Sequence, residues 1–225
     1  MTPISRITSN KALYSLEIIE TFMYIVKTNI QKSIIEGEGT FAGEFIPNGT
    51  IVYFYSTEEI FVPKNKFSLL SEAEKDIFFR YSVQDKAGNW LYGMYKINHS
   101  CDANTLSIFV DGIYCEIAVR DIYEGEEITI DYGLLYSTFP YNQECSCSTP
   151  ICRKIVTSGL PIDIQTQDIW RSRISEAISH IRDVKQNLFF MEDDKAKELT
   201  LAIKTNLNPK IFPYIKFSLI SEDSP

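Results

Sequence analysis

The sequence is poor in histidine and in basic residues. Only two of its 225 residues are histidine. Lys and Arg together number 22 against 30 Asp and Glu, which gives a formal net charge of -8. A protein that binds nucleic acid without sequence preference needs a basic surface. The charge therefore argues against a direct nucleic-acid partner, and it is compatible with a basic protein partner.

Signals for export and for membrane insertion are also lacking. The first eight residues contain no apolar run of the kind found in a secretory signal peptide. The apolar stretch 51–55 is far shorter than the roughly 20 residues that cross a bilayer as a helix. The sequence thus predicts no signal peptide and no membrane partner.

What is present is the composition of an ordinary globular protein, with 44% hydrophobic, 13% aromatic and 23% charged residues. From residue 31 to about 158, short β-rich runs alternate with Gly, Pro and Asn. One helix is predicted there, because Ser71 and Glu74 have the spacing of a capping box. This pattern indicates an α+β domain rather than a doubly wound parallel sheet.

The pattern becomes helical after about residue 165. Ile174, Ile178 and Ile181 recur at spacings of three and four, and a second helix carries Leu199 and Ile203 on one side. We predict a C-terminal helical hairpin, which cannot bury its apolar faces alone. It must pack on the main domain or on a second copy of the chain, so a homodimer and a contact that covers part of the main domain are both open.

The chain divides accordingly into four predicted regions. They are an N-terminal flank (1–30) with a short helical stretch, a central α+β domain (31–140), a cysteine-rich segment (141–158) and a C-terminal helical region (159–225).

Three of the five cysteines are crowded into one segment. Cys145, Cys147 and Cys152 form a C-x-C-x4-C cluster. Without a secretory signal, such crowding indicates metal binding more often than disulfides. Three thiolates can occupy three corners of a tetrahedral, structural Zn²⁺ site. The residues that could supply the fourth ligand are Cys101, Cys115, His99 and His180.

Three further segments attract attention. Segment 37–43 (GEGTFAG) differs from the dinucleotide fingerprint, because its third glycine is one residue late and no helix follows. Segment 98–104 (NHSCDAN) holds one of the two histidines, and segment 120–133 (RDIYEGEEITIDYG) ends a β-run at Tyr132. Taken singly, each has an ordinary structural explanation: a hairpin turn, a core histidine and a packing tyrosine.

Together and in this order, the segments resemble the SET-domain protein-lysine methyltransferases. The run GEGTFAGEFIPNGT is similar to the family's opening G-x-G segment, and NHSCDAN is similar to its N-H-S-C-x-P-N motif. The run GEEITIDYG resembles G-E-E-L-T-x-D-Y, and CSCSTPIC resembles the post-SET cysteine tail. The resemblance covers about residues 22–155. Since the long pre-SET cysteine arrays are missing, the chain is most similar to compact, stand-alone members from bacteria and viruses.

The resemblance implies a SET-domain β fold of short sheets with a knot-like core, a zinc-binding post-SET segment and S-adenosylmethionine as cofactor. It places Tyr132 at the methyl-transfer site as the catalytic residue, and it makes Cys101 the fourth zinc ligand beside Cys145, Cys147 and Cys152. The residues that it places at the cofactor are Gly37, Glu38, Gly39, Asn98, His99, Tyr81 and Tyr132.

The function implied is methylation of lysine in a basic protein, with a histone or histone-like tail as the expected substrate. Two alternatives stay open: methylation of a non-histone protein, and a SET fold that has lost catalysis and serves as an interaction module. The expected location is cytoplasmic or nuclear, or, for a bacterial source, delivery into a host nucleus.

Overall fold

The computed structural model describes residues 24–55, 60–84, 88–92, 96–110, 113–135, 142–157 and 163–205. The strands in these residues are β1 (Thr28–Lys32), β2 (Glu38–Ala42), β3 (Ile51–Phe54), β4 (Ile60–Val62), β5 (Ser82–Gln84), β6 (Trp90–Tyr92), β7 (Asn98–His99), β8 (Thr105–Val110), β9 (Ile113–Ala118), β10 (Thr129–Ile130), β11 (Asn142–Glu144) and β12 (Ile155–Thr157). The helices are α1 (Lys64–Phe67), α2 (Glu72–Tyr81), α3 (Ile164–His180) and α4 (Asp194–Thr205). This mixture of helices and short sheets confirms the predicted α+β class. The helical stretch predicted in the N-terminal flank lies outside the described residues.

A three-stranded antiparallel sheet, in the order β3-β9-β8, forms the centre of the fold. Because side chains alternate along a strand, its residues divide between two faces. Leu106, Ile108 and Ile117 belong to a core cluster on one face, whereas Phe109 and Tyr114 belong to a second cluster on the other. Every residue of β8 and β9 is buried. Both faces of the sheet are therefore covered by other parts of the chain.

The C-terminal helices cover the first of these faces. Their buried residues share one core cluster with Ile51, Phe54 and Ile117 of the sheet. This confirms that the apolar faces of the helices pack on the main domain. The predicted hairpin itself is not confirmed, because α3 contacts β9 whereas α4 contacts the 3-10 turn Asn187–Phe190. The buried apolar residues of these two helices are Trp170, Ile174, Ala177, Ala196, Leu199, Ala202 and Ile203.

A buried glutamine ties the segment between α3 and α4 to the sheet. Gln186 donates through Nε2 to the carbonyl oxygens of Gly49, at 2.9 Å, and Ile181, at 3.0 Å. Its Oε1 accepts from the amide of Ile51 at 3.0 Å. These bonds satisfy backbone groups that burial would otherwise leave unpaired, a loss that costs roughly 1–3 kcal/mol per group.

The predicted capping box is present at the start of α2. The Ser71 side chain accepts from the Glu74 amide, and the Glu74 carboxylate accepts from the Ser71 amide at 2.6 Å. The helix packs on the separate sheet β4-β6-β5. Phe67, Phe78 and Trp90 form the core of this unit, with the Phe67 and Trp90 rings stacked at 4.4 Å between centroids.

Two short pairings complete the part of the fold that carries the candidate site. β1 and β2 form an antiparallel hairpin, and β7 lies parallel to β10. The pair β7 and β10 is reinforced by Asn104, which donates to the carbonyl oxygen of Glu127 at 2.8 Å and accepts from the amide of Thr129 at 2.8 Å. Segments 98–104 and 127–132 are thus held side by side.

In the described part of the chain, no helix combines the length and the apolar character that crossing a membrane requires.

Candidate active site

The carboxamide of Asn98 helps to hold the turn between β1 and β2 in place. The Asn98 Nδ2 group donates to the carbonyl oxygens of Glu36, at 3.1 Å, and Glu38, at 3.2 Å, which flank Gly37. Gly37 itself has a φ of 50°, a left-handed conformation that favours glycine. The turn residues 36–38 remain exposed. Asn98 therefore shapes a loop whose backbone is open to a ligand.

Gly39 is required by a neighbouring carboxylate. A Cβ atom added there would overlap the Glu127 carboxylate and would lie 3.1 Å from Asn98 Nδ2. Glu127 accepts from Asn98 Nδ2 at 2.7 Å and from the Ser33 hydroxyl at 2.8 Å. The absence of a side chain at Gly39 thus allows the Glu127 carboxylate, a group of the protein itself, to lie close to the backbone. Sequence reasoning did not assign a role to Glu127.

Tyr132 is fixed at both its backbone and its hydroxyl. Its amide donates to His99 Nδ1 at 3.1 Å, and its hydroxyl donates to the carbonyl oxygen of Ile97 at 2.7 Å. The ring is half-buried against a hydrophobic core cluster that includes Ile97, Phe109 and Tyr114. Because its proton points to Ile97, the hydroxyl oxygen can act only as an acceptor toward any further group.

His99 links this tyrosine to the cysteines. Since Nδ1 accepts from Tyr132, the ring proton belongs on Nε2, which lies 3.2 Å from Cys101 Sγ. Burial, together with the nearby Arg153 guanidinium, lowers the pKa of His99 to about 3. The neutral ring has both nitrogens engaged within the chain, so any contact of this residue with a cofactor must come from its main chain.

A buried ion pair lies directly beside Tyr132. Both guanidinium ends of Arg153 donate to the Asp131 carboxylate, one of them at 2.9 Å. Burial raises the pKa of Asp131, and the Arg153 guanidinium counteracts this by favouring the carboxylate. The guanidinium also lies 5.5 Å from the ring centroid of Trp170, in α3. The pair therefore joins the tyrosine loop, the cysteine-rich segment and the first C-terminal helix.

Four cysteine sulfurs converge on one point. The Sγ atoms of Cys101, Cys145, Cys147 and Cys152 all lie within 4.8 Å of one another. A tetrahedral Zn²⁺ with Zn–S bonds of about 2.3 Å requires sulfurs about 3.8 Å apart, and the Cys101 and Cys145 sulfurs are 3.8 Å apart. The donor set and its spacing fit zinc. Of the four candidates for the fourth position, the structure selects Cys101.

The ionisation of the thiols is uneven before a metal binds. Burial raises the pKa of Cys101 to about 11. Burial alone would raise the pKa of Cys147 as well. Hydrogen bonds, chiefly those with Thr149, outweigh the effect of burial and lower the pKa of Cys147 to about 6. Cys115 lies apart from the cluster, fully buried under the C-terminal helices, where burial raises its pKa.

The structure thus brings most of the predicted site residues together. The turn with Gly37, Glu38 and Gly39 meets Asn98, and His99 meets both Tyr132 and Cys101. Tyr81 ends α2, which packs on β5 and β6, and its predicted role at the cofactor stays a prediction.

Residues 37–133 match the family model of the SET domain. This part of the chain is similar to the SET domain. The matched range begins at Gly37 and ends at Gly133, so it spans the turn, the Asn98 segment and Tyr132. The cysteines of the C-x-C-x4-C cluster follow it.

Proteins that are similar to this chain over the matched region include named histone methyltransferases. The histone-lysine N-methyltransferase set9 of Emericella nidulans is 31% identical over 138 residues, which cover 60% of this chain and 21% of the relative. The variant-silencing SET domain-containing protein of Plasmodium falciparum is 30% identical over 145 residues, which cover 57% of this chain and 6% of the relative. The chain therefore spans about a fifth or less of the length of these relatives. Their organisms are eukaryotes, and the bacterial or viral subtype stays a prediction.

A solved structure of a Plasmodium falciparum protein also aligns with part of this chain. It has a TM-score of 0.36 and 22% identity, and the alignment covers 48% of this chain and 93% of that one.

Proposed function

We propose that the chain is an S-adenosylmethionine-dependent protein-lysine N-methyltransferase. The observation that carries this proposal is the convergence of three matched motifs, in which Asn98 shapes the glycine turn and His99 fixes the backbone of Tyr132. The similarity to proteins named histone-lysine N-methyltransferases supports the same reaction.

S-adenosylmethionine supplies a methyl group on a cationic sulfonium. The protein must present a neutral lysine amine to it, although free lysine has a pKa of about 10.4. An apolar aromatic surround disfavours the ammonium form by desolvation. The core cluster against which Tyr132 packs contains Tyr53, Phe109 and Tyr114 beside its aliphatic members, and we propose that it provides part of such a surround. The reaction then needs positioning rather than a covalent enzyme intermediate.

Tyr132 is the residue that we place at the methyl-transfer site. Its hydroxyl proton is directed to the Ile97 carbonyl, so toward a substrate the oxygen acts as an acceptor. In that role it orients an amine N–H and stabilises the partial positive charge on a transferring methyl group. A strong base at this position is not required.

The cofactor site that we propose is formed by the backbone of Gly37, Glu38 and Gly39, with Asn98 and the main chain of His99. The exposed turn offers backbone groups at close range. Charges of both signs lie at this turn, because the Nζ atom of the neighbouring Lys96 is 2.8 Å from a carboxylate oxygen of Glu38. A ligand with both an amino and a carboxylate group fits such a mixed surface.

We further propose that the four cysteines bind one structural zinc ion, with Cys101 joining the post-SET segment to the SET domain. Zinc supplies folding free energy when bound, and it leaves no open position in a four-thiolate site. Elemental analysis of the purified chain tests this directly. One zinc per chain, lost in Cys101→Ser but kept in Cys115→Ser, is the expected result, and equal zinc content in both variants contradicts it.

The expected substrate is a histone or histone-like tail. The net charge of -8 suits a basic peptide, and extended tails bind such domains as an added strand. Together with this substrate, we propose a nuclear or cytoplasmic location for the protein. The C-terminal helices bury their apolar faces within the chain, so a homodimer through them stays a prediction. Light scattering on the intact chain tests it, and a monomeric mass contradicts it.

Labelled S-adenosylmethionine incubated with core histones and the purified chain tests the function. We expect label on histone lysines, mapped by mass spectrometry, and at least a hundredfold loss of rate in Tyr132→Phe. Tyr123→Phe is the matched control, because Tyr123 is 60% exposed and lies outside the site.

The other outcomes separate the alternatives. Label that appears only when a cell extract replaces the histones indicates a non-histone substrate. No label with either, together with no cofactor binding, indicates an interaction module and contradicts the proposed function.

A further inference from the structure

A helix that follows the matched region contacts the loop that carries Tyr132. This helix is α3, and its Trp170 is only 2% exposed. The Trp170 side chain hydrogen-bonds to the carboxylate of Asp131, the residue directly before Tyr132. Trp170 is the donor, because the only polar group of an indole ring is its N–H. The Arg153 guanidinium, which pairs with the same carboxylate, lies over the Trp170 ring.

The same helix also contacts the segment that begins with Asn98. Arg173 Nη1 lies 2.7 Å from a carboxylate oxygen of Asp102, four residues after Asn98. Because Trp170 and Arg173 are three residues apart, they lie on one side of the helix. One turn of α3 therefore reaches both of the segments that β7 and β10 hold side by side.

Apolar contacts repeat this arrangement. Ala103 and Leu134, one from each of the two segments, belong to the same core cluster as Trp170 and Ile174. The Tyr132 ring packs against the other cluster, on the opposite face of the central sheet. The helix thus supports the two segments from the side that the tyrosine ring does not use.

The last turns of α3 are seated closely against the start of β3. Gly49 precedes this strand with a φ of 91°, and a Cβ atom added there would lie 2.7 Å from the carbonyl oxygen of Ala177. No side chain fits in so short a distance, so glycine is required where the helix meets the sheet. The helix is therefore held by the sheet at one end and by the two site segments nearer its other end.

We propose that α3 is a positioning element for methyl transfer, with Trp170 and Arg173 as its positioning residues. This inference rests on the proposed function and deepens it. Trp170 holds the Asp131 carboxylate, which in turn accepts from the amide of Gly133 at 2.9 Å and so fixes the turn in which Tyr132 lies. A displacement of about 1 Å at a reacting centre can lower a rate about a hundredfold. A small movement of this turn is thus enough to slow the reaction.

The variant Trp170→Phe tests this inference. The phenylalanine ring still fills most of the buried space, but it cannot donate a hydrogen bond to Asp131. We expect kcat with labelled S-adenosylmethionine and core histones to fall roughly tenfold. Isothermal titration should show nearly unchanged affinity for S-adenosylmethionine, because Asn98 rather than α3 holds the glycine turn.

The matched control is Ile174→Val, on the same helix. Ile174 is fully buried, and this change removes apolar volume without removing a hydrogen bond. It should lower the stability of the chain and leave kcat unchanged. Equal losses of kcat in Trp170→Phe and Ile174→Val would indicate a general effect of destabilisation and would overturn the inference.

Amide hydrogen exchange gives a readout that does not depend on activity. The amide of Tyr132 donates to His99 Nδ1, and that of Gly133 donates to Asp131 Oδ1. In Trp170→Phe we expect both amides to exchange about tenfold faster than in the wild type, because the turn opens locally. In Ile174→Val they should exchange at the wild-type rate.

A second variant, Arg173→Gln, keeps the test independent of the folding of the first. It removes only the partly exposed ion pair with Asp102. The amide of Asp102, which donates to Ser100 Oγ at 3.1 Å, should exchange faster, and kcat should fall by a smaller factor. Arg171→Gln is its matched control and should change neither quantity, because Arg171 pairs within α3 itself.

The outcomes distinguish the two proposals. Unchanged kcat and unchanged amide exchange in Trp170→Phe and Arg173→Gln, with an active wild type, overturn this inference alone. An increase in kcat also overturns it, since that result would show that α3 inhibits the enzyme. A wild type that transfers no methyl group to any protein overturns the proposed function, and this inference with it.

Discussion

At the scale of single residues, the buried carboxylate of Glu116 is the most unusual feature of the chain. Folding raises its pKa from 4.5 to about 7. The folded state therefore holds a proton that the unfolded chain releases between these values. The contribution of Glu116 to the free energy of unfolding is therefore largest below about pH 4.5. It decreases as the pH rises to 7 and stays low above that value.

This shift predicts a stability difference that can be measured. Because the shift corresponds to about 3 kcal/mol, the wild type should lose roughly that much more free energy of unfolding than Glu116→Gln between pH 4.5 and 8. Urea unfolding of both proteins across this range provides the measurement. A constant difference between the two proteins would mean that Glu116 is not shifted.

Residues of this kind could not be predicted from the sequence. Glu116 stands in the run Tyr-Cys-Glu-Ile, which predicts a strand but does not show that both its faces are covered. The Asn98, His99 and Tyr132 positions could be predicted, because their motifs are continuous in sequence. The contacts of Glu127 with Gly39, and of Asp131 with Arg153, join residues far apart in the chain, and no local pattern encodes them.

At the scale of helices and strands, short sequence patterns were sufficient to predict the elements that form through contacts between neighbouring residues. The capping box before α2 and the periodicity of α3 and α4 both predicted helices that are present. The hairpin of the last two helices was not confirmed. Their apolar residues pack on β3, β8 and β9. The spacing of apolar residues predicts that one face of a helix is buried, but it does not identify the part of the chain that covers that face.

The ion pair between Arg153 and Asp131 connects the tyrosine loop, the cysteine-rich segment and α3. Its removal should therefore lower the free energy of unfolding. In Arg153→Gln the Asp131 carboxylate stays buried without its cation, so we expect a loss of about 3–5 kcal/mol in the free energy of unfolding. Arg171→Gln is the matched control, because Arg171 pairs with Asp168 on the exposed surface of α3. It should cost at most about 1 kcal/mol.

Zinc content measured on the same two proteins separates stability from metal binding. The Arg153 amide donates to Cys101 Sγ at 3.3 Å, a contact that the side-chain change leaves in place. Arg153→Gln should therefore keep its metal under native conditions. Equal unfolding free energies for the two arginine variants would contradict the role assigned to the pair.

At the scale of the whole molecule, the C-terminal helices belong to the same hydrophobic core as the central sheet. Seven of their buried residues share a cluster with the central sheet. Each fully buried aliphatic side chain contributes about 1.5–3 kcal/mol, whereas the net stability of a domain is only about 5–15 kcal/mol. Removing the helices would expose one whole face of the sheet.

A chain truncated after residue 157 should consequently lose its cooperative thermal transition and aggregate. Differential scanning calorimetry on the intact and truncated chains provides the comparison. A truncated chain that is monomeric and still unfolds cooperatively would show that the helices are an independent appendage. An inhibitory role for them would then become testable by its activity.

The measurement that tests the central claim most directly is the binding of S-adenosylmethionine, because it does not depend on knowing the substrate. Isothermal titration of the intact chain should show one site. Asn98→Ala should weaken it by about tenfold, since it removes the two hydrogen bonds that shape the exposed glycine turn, each of which contributes roughly 0.5–1.5 kcal/mol. Asn142→Ala, at an exposed position of β11, should bind like the wild type. No detectable binding to the wild type, or equal affinity in Asn98→Ala, would contradict the account.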